Sequence, residues 1–434
     1  MKFSDVPRIF LAPVLIAAAV AVATLVPEAK AHHTVSGSFP ATVCPGALGG
    51  GTSQITLPDK NLPIRTISGK SATLKIQKTL ILPGSSAPIF VSGNPGSEVA
   101  FQTISGSGMA AAVCSVGGPD QWFIGGSGGV TSQSILEIIN SGLSDSTVQI
   151  FPFNSKVALA PIALTIRANS DRQVRLASIV PGSESVALHI VTDSGRVTSF
   201  LLDHRTSGLK DLGSSFVSPV NAPVNISYIA GLYGSTAKAT SLMRFLVPGN
   251  LTANVHLTIF SQGGTFTPVG FDSLAIAHQH VVDVPLPKLE LSGPYGIEIT
   301  SDQPILAATL TRTSFGGGDF AWANQLTPIS RFRVNLGGVK GQFFFIGKSL
   351  ALNAQWKDAK GRSQKILITG DTSASWSPID ALGVVTFTPL TKLPIYGGAF
   401  LLNASGGLSY LPLLANQLVS GAQEPIADIR TLAR

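Results

Sequence analysis

Short apolar runs rich in Val, Ile, Thr and Phe recur along this chain, separated by clusters of Gly, Pro, Ser and Asn about every eight to twelve residues. Many runs alternate apolar with polar positions. A period of two turns one face of an extended segment inward and the other to solvent, so the pattern predicts antiparallel strands stacked as sandwiches. Residues 185–191 lead into a turn over 193–195 and a return over 197–202, which reads as a hairpin. The same reading covers 296–300 and 305–310, and in weaker form 88–91 with 98–101 and 398–402 with 408–411. No long segment keeps a 3.6-residue period between caps. Helix is expected at most as a turn or two, at Glu290 and Leu291 and over 413–418. With no crossover helices, a parallel sheet is disfavoured.

One stretch repeats. Ser134-Ile135-Leu136-Glu137-Ile138-Ile139-Asn140-Ser141-Gly142 lines up with Ser241-Leu242-Met243-Arg244-Phe245-Leu246-Val247-Pro248-Gly249, and residues 147–153 meet 254–260 at the same offset of 107. A repeat of that length is domain-sized. The expected fold class is therefore all-β: tandem antiparallel β-sandwich-like domains after an N-terminal signal or anchor. The expected divisions are 1–31 (signal peptide or membrane anchor), 32–115 (an N-terminal β region with a disulfide), sandwich units over 116–212, 222–316 and 325–420, and a tail over 421–434. Linkers are read at 214–219 and 314–319, and the units are expected to lie end to end.

The first residues change the picture of where this fold operates. Lys2 and Arg8 precede an apolar run over 9–26, and Ala29-Lys30-Ala31 fits the small-x-small rule of a cleaved export signal. Left uncut, the run would serve as a single anchor. Either way the remainder is expected outside the membrane, extracellular or in the cell envelope, meeting lipid only through that segment. Cys44 and Cys114 are the only cysteines, and an oxidising compartment would join them; two free thiols are the alternative. A zinc site lacks a second ligand pair.

Charged residues make up 12% of the chain, about half the usual ~25%, and net charge is +7. The excess is scattered, without a basic run or interleaved aromatics, so nucleic acid is not an expected partner. Outside the membrane such a balance suits anionic wall polymer or envelope proteins.

Candidate chemistry is sparse. Cleavage after Ala31 would expose His32-His33, and an amine with two imidazoles is the copper grip of polysaccharide monooxygenases. His278 and His280 would share one strand face, but no further ligand completes a site. These four histidines are weak metal candidates, and no cofactor is expected. His189, His204 and His256 look isolated. Gly125-Gly126-Ser127-Gly128-Gly129 lacks the strand-turn-helix context of a nucleophile elbow and reads as a turn allowing close backbone approach. Among the 23 acidic residues nothing singles out a catalytic pair. Trp122 and Tyr228 open equivalent units, with Trp322 a possible third, and core plugging is the expected use. Trp356 and Trp376, with Lys357, Lys360 and Arg362, form the candidate binding patch; a charged hairpin turn is the plain alternative.

The export signal, Val43-Cys44-Pro45-Gly46, Cys114, Trp122 leading into Gly125-Gly126-Ser127, the strand pair over 135–153 and the Gly195 turn together resemble a family of exported actinobacterial proteins of unknown function. That resemblance implies an envelope location and carries over no activity, ligand or catalytic residue. The expected function is a non-catalytic envelope protein, binding or structural, with a copper-dependent polysaccharide enzyme at His32 or a surface adhesin as alternatives.

Overall fold

The computed structural model describes residues 42–57, 63–67, 71–73, 81–83, 87–91, 99–103, 108–156, 159–195, 197–234, 239–314, 318–358, 360–378 and 383–414. Among them the structure is strand and loop, with one four-residue helix, α1 (Leu176–Ile179). Residues 286–294, where a helical turn was expected at Glu290, hold none, and Leu413 closes a strand.

The strands fall into four modules. The first holds β1 (Thr42–Cys44), β2 (Thr52–Thr56), β3 (Pro63–Thr66), β4 (Ser71–Thr73), β5 (Ile81–Pro83), β6 (Ile89–Val91), β7 (Val99–Thr103) and β8 (Ala110–Val113). The second holds β9 (Asp120–Ile124), β10 (Ile135–Asn140), β11 (Ser146–Asn154), β12 (Ile162–Ile166), β13 (Ser170–Arg175), β14 (Val186–Thr192), β15 (Val197–Ser207) and β16 (Lys210–Val217). The third holds β17 (Val224–Leu232), β18 (Ala239–Leu246), β19 (Ala253–Ser261), β20 (Gly264–Phe266), β21 (Leu274–Ile276), β22 (Val281–Pro285), β23 (Tyr295–Thr313) and β24 (Asp319–Asn324). The fourth holds β25 (Phe332–Asn335), β26 (Lys340–Ile346), β27 (Leu350–Lys357), β28 (Ser363–Gly370), β29 (Ser373–Trp376), β30 (Val384–Pro389), β31 (Tyr396–Leu402) and β32 (Leu408–Leu413).

One topology is used four times. The first module pairs its strands as β1-β6-β3-β4 and β5-β2-β7-β8. The second repeats this order as β9-β14-β11-β12 and β13-β10-β15-β16, and the fourth as β25-β30-β27-β28 and β29-β26-β31-β32. The third departs at two points: two short strands, β20 and β21, flank β19 in place of one, and β23 runs unbroken for 19 residues. Its first half pairs with β17 and β19 and its second half with β18 and β24, so one strand serves both sheets. The N-terminal region is thus a further copy of the same design.

This topology corrects the hairpin reading. β14 pairs with β11 and β9, whereas β15 pairs with β10 and β16. The turn carrying Gly195, at φ +78°, passes the chain from one sheet to the facing one. β6 and β7 likewise belong to different sheets, while β31 and β32 do form a paired hairpin. Two apolar runs around a turn look alike in sequence whether the return pairs alongside or crosses the core, because the local pattern encodes the turn and not the partner.

Burial follows the expected period. Along β11 buried and half-buried positions alternate without exception, with Val148, Ile150 and Pro152 inward. β10 is buried nearly throughout because both faces are covered: Leu136 and Ile138 join the core of the second module, while Ile139 meets Val43, Leu48 and Phe90 of the first. Cys44 and Cys114 form a disulfide that closes the first module. In the chain-entropy view a loop of this size contributes about 4 kcal/mol.

The modules do not lie end to end. All described residues belong to one compact unit. Shared cores join first to second, second to third, third to fourth and fourth back to first. At the centre the last strands of the modules, β8, β16, β24 and β32, pack against one another in the same cyclic order. The stretches read as linkers supply this centre: 214–217 end β16, and Asp319 opens β24. Trp322 sits in β24, fully buried, and closes the third module rather than opening the fourth. Small, Gly-rich and Ser-rich sequence marks close backbone approach as readily as it marks a loop.

Candidate functional site

A glycine stands at or near the start of each central strand: Gly108 two residues before β8, Gly213 within β16, and Gly318 and Gly407 directly before β24 and β32. Asp319 is 2% exposed, and its carboxylate faces all four modules. Oδ1 accepts the backbone N–H of Ser214 at 3.2 Å and of Phe320 at 2.8 Å. Oδ2 accepts those of Met109 at 3.1 Å and Leu408 at 2.8 Å. The geometry requires glycine beside it: Gly213 has φ +104°, and a methyl group there would overlap the carboxylate. Burial pushes the Asp319 carboxyl up to about 7, against the pull of the four amides.

Between the second and third modules the buried charges are matched. The Arg244 guanidinium donates to Asp283 (Nε at 2.7 Å, Nη2 at 2.8 Å) and to the carbonyls of Gly126 (2.8 Å), Val186 (3.1 Å) and Glu184 (3.2 Å). That uses all five of its N–H groups. It lies 4.7 Å over the ring of Trp322, whose indole N–H donates to Asp203 at 2.8 Å. Asp203 also accepts from Arg205 at 2.8 Å and from the Ser134 hydroxyl at 2.8 Å. Burial opposes the Asp203 charge, but Arg205, Trp322 and Ser134 outweigh it and hold the carboxyl below its usual range. Arg244 and the Ser185 hydroxyl do the same for Asp283 against its own burial. The glycine-rich loop at 125–129 is the seat of this arginine, since Gly126 at φ +84° turns its carbonyl toward Nη1.

The first and second modules meet differently. Glu137 on β10 is fully buried, accepting from the Gly46 N–H at 3.2 Å and from Gln173 Nε2 at 3.3 Å. Burial, with the charge of nearby Asp171, pushes its carboxyl up to about 8, so it is neutral at pH 7. Beside it opens a cleft of about 320 Å³, lined by Gly49, Gly50, Gln133, Ile135, Gln173 and Arg175. Gly49 and Gly50, at φ +61° and +75°, form a tight turn closed by Gly51 N–H to Leu48 O at 3.1 Å. Buried Gln102 clamps the Leu48 backbone in both directions. The Arg175 guanidinium is exposed and has no ion-pair or hydrogen-bond partner among the described residues.

A model described as a family of unknown function (DUF5719) matches residues 91–375, well over half of the chain. The chain belongs to that family. The matched span begins at the end of β6 and ends within β29, so it holds the second and third modules whole and cuts the first and fourth. No curated protein matches the sequence. A solved structure described as a tetra-tandem repeat in the extending region of a large adhesion protein aligns with 86% of this chain and 92% of that one, at 11% identity and a TM-score of 0.12. A superposition that weak carries no argument.

The residues singled out from sequence are placed as follows in this DUF5719 chain. Trp376 is 9% exposed, stacked on Phe343 with centroids 5.4 Å apart, and belongs to the core of the fourth module. Trp356 packs half-buried against the same core, 5.2 Å from Trp376. Lys357, Lys360 and Arg362 are exposed around the turn that follows, where Asp358 accepts from Arg362 Nε at 2.8 Å. His278 and His280 sit in a turn, not on a strand face, with Gln279 between them at φ +58°; His280 Nδ1 contacts the His278 carbonyl at 2.6 Å. Strand alternation therefore does not align them. His32 and His33 lie outside the described residues. Among those described, no three His, Cys, Asp or Glu stand together as a metal site.

His189 is not isolated: its ring stacks on Trp122 at 3.7 Å, and Nε2 lies 2.9 Å from Asp120. Cross-strand register joins them, since His189 pairs with Trp122. Asp319, Glu137 and Arg244 were all missed. The signal for Asp319 was present, a glycine at or near the start of the last strand of every module. Arg244 was visible only as an arginine where the repeat carries Glu137, one charged position used with opposite sign in two copies.

Proposed function

We propose that this protein is an exported, non-catalytic component of the cell envelope, in keeping with the actinobacterial family its sequence resembles. Its four sandwiches form one rigid scaffold that binds anionic wall polymer or partner proteins. The observation that carries this reading is the Asp319 carboxylate, which occupies the centre of the molecule and accepts one backbone N–H from each of the other three modules. Asp203, Asp283, Arg205 and Arg244 are likewise consumed at a junction. A chain that invests its buried charge in rigidity is suited to presenting a surface. The Cys44–Cys114 disulfide is consistent with an oxidising compartment. No helix among the described residues is long and apolar enough to cross a membrane.

Fractionation of source cells tests location: recovery in the envelope or medium is expected, and a mature chain confined to the cytoplasm would overturn the reading. Sequencing the mature N-terminus and measuring bound copper separates it from the oxidative enzyme at His32, which requires stoichiometric metal.

A further inference from the structure

We infer that the cleft between the first and second modules, lined by Gln133, Gln173, Arg175 and the Gly49–Gly50 turn, binds one anionic sugar residue of an envelope polymer. The inference deepens the envelope reading and rests on it.

Four observations converge. The Arg175 guanidinium in the cleft has no partner among the described residues, and such an Arg is suited to gripping a carboxylate or phosphate through two parallel hydrogen bonds. Gln133 and Gln173 add carboxamides able to donate to and accept from ring hydroxyls. The volume, about 320 Å³, lies at the lower end of the roughly 300–1,000 Å³ of small-molecule sites. That is far more than a bare oxyanion fills and suits a single charged ring, with Ile135 offering an apolar wall. The fourth concerns what is absent from the floor. Glu137, which accepts from Gln173 of the lining, is held neutral at pH 7 by its burial and by the charge of Asp171, so it does not itself repel an anion.

The walls come from two modules that are fixed to each other. Gln102 holds the glycine turn from one side, and the β10–β13 ladder sets the spacing of Ile135 and Arg175, which are register partners, on the other. Nothing needs to close for a ligand to be gripped.

Titration calorimetry on the full chain tests the proposal with three probes: a galacturonate trisaccharide, glucose 1-phosphate and a neutral glucose trisaccharide. Binding of at least one anionic probe is expected, weakened by raising salt, with the neutral sugar silent. Which anionic probe binds identifies the charged group. Arg175→Ala is expected to weaken binding at least tenfold and Gln133→Ala several-fold. Both side chains are exposed, so neither change should move the melting temperature. Equal binding by wild type and Arg175→Ala, or no binding of either anionic probe, would overturn the cleft as the site. Retention of envelope polymer by both proteins alike would sink the cleft while leaving the envelope reading intact. Loss of retention by wild type itself would remove that reading as well.

Discussion

The junction between the second and third modules and the junction between the first and second are both closed over buried carboxyl groups, yet only one of them carries cations to match. At the former, Asp203 and Asp283 face Arg205 and Arg244 and stay ionised in the interior. At the latter, Glu137 has amides for partners and a carboxylate for a neighbour, and it survives burial by keeping its proton. The repeat makes the contrast sharp, because Glu137 and Arg244 occupy the same position in two copies of one strand. A matched pair fixes a junction permanently. A lone acid fixes it only where it is neutral, and leaves room beside it.

The largest effect is expected from breaking the matched side. Arg244→Met removes five donated hydrogen bonds, three of them to buried backbone carbonyls, and leaves half-buried Asp283 without its cation. Stripping one partner from a buried pair costs about 3–5 kcal/mol, which chemical denaturation would read as a large drop in midpoint. A loss below about 1 kcal/mol would mean that the junction is held by its apolar contacts alone, Trp322 and Leu306 among them.

The unmatched side is expected to respond to pH with the opposite sign. Glu137 has a folded value near 8 against 4.5 for the free group, so between those values the folded chain binds more protons than the unfolded one. Its contribution is therefore full below about pH 4.5 and is lost as pH rises through 8, by up to roughly 5 kcal/mol. Asp203 and Asp283, held below their usual range, contribute above the normal carboxylate value and lose that contribution in acid. Glu137→Gln keeps an acceptor for the Gly46 amide but cannot ionise. Denaturation profiles between pH 5 and pH 8 should slope downward less steeply in this variant than in wild type. Equal slopes would place the titrating group elsewhere.

How much of this was legible beforehand depends on whether the cause is local. The strands were legible, because the alternation along β11 is written in consecutive residues. The doubling of 134–153 at 241–260 was legible because both copies kept their apolar spacing. The first module was not recognised as a copy: its strands are short, several of only three residues, too few for a period to show. Cyclic closure was invisible because it depends on residues hundreds of positions apart, such as the Thr56 hydroxyl donating to the Asn335 carbonyl at 2.6 Å. The glycine and serine stretches that build the centre share their composition with linkers. Glu137 was passed over because a single acid in an apolar strand gives no sign of which neighbour will cover it.

Asp319 tests the comparison at its midpoint. Like Glu137 it is a buried acid without a cation, but it accepts four amides where Glu137 accepts two, which makes it a measure of how far backbone N–H groups replace a counter-charge. Asp319→Asn keeps the shape and turns one oxygen into a donor. Whichever way the amide sits, two backbone N–H groups then face an –NH₂ and lose their acceptor. An unsatisfied buried donor costs about 1–3 kcal/mol, and the loss falls where four modules meet. A modest drop in midpoint is expected, together with faster amide exchange at one pair, either Ser214 with Phe320 or Met109 with Leu408. Should both pairs stay as protected as in wild type, the four strands are held by their own packing and the carboxylate merely fills the space between them. The contrast between the two junctions would then have no counterpart at the centre.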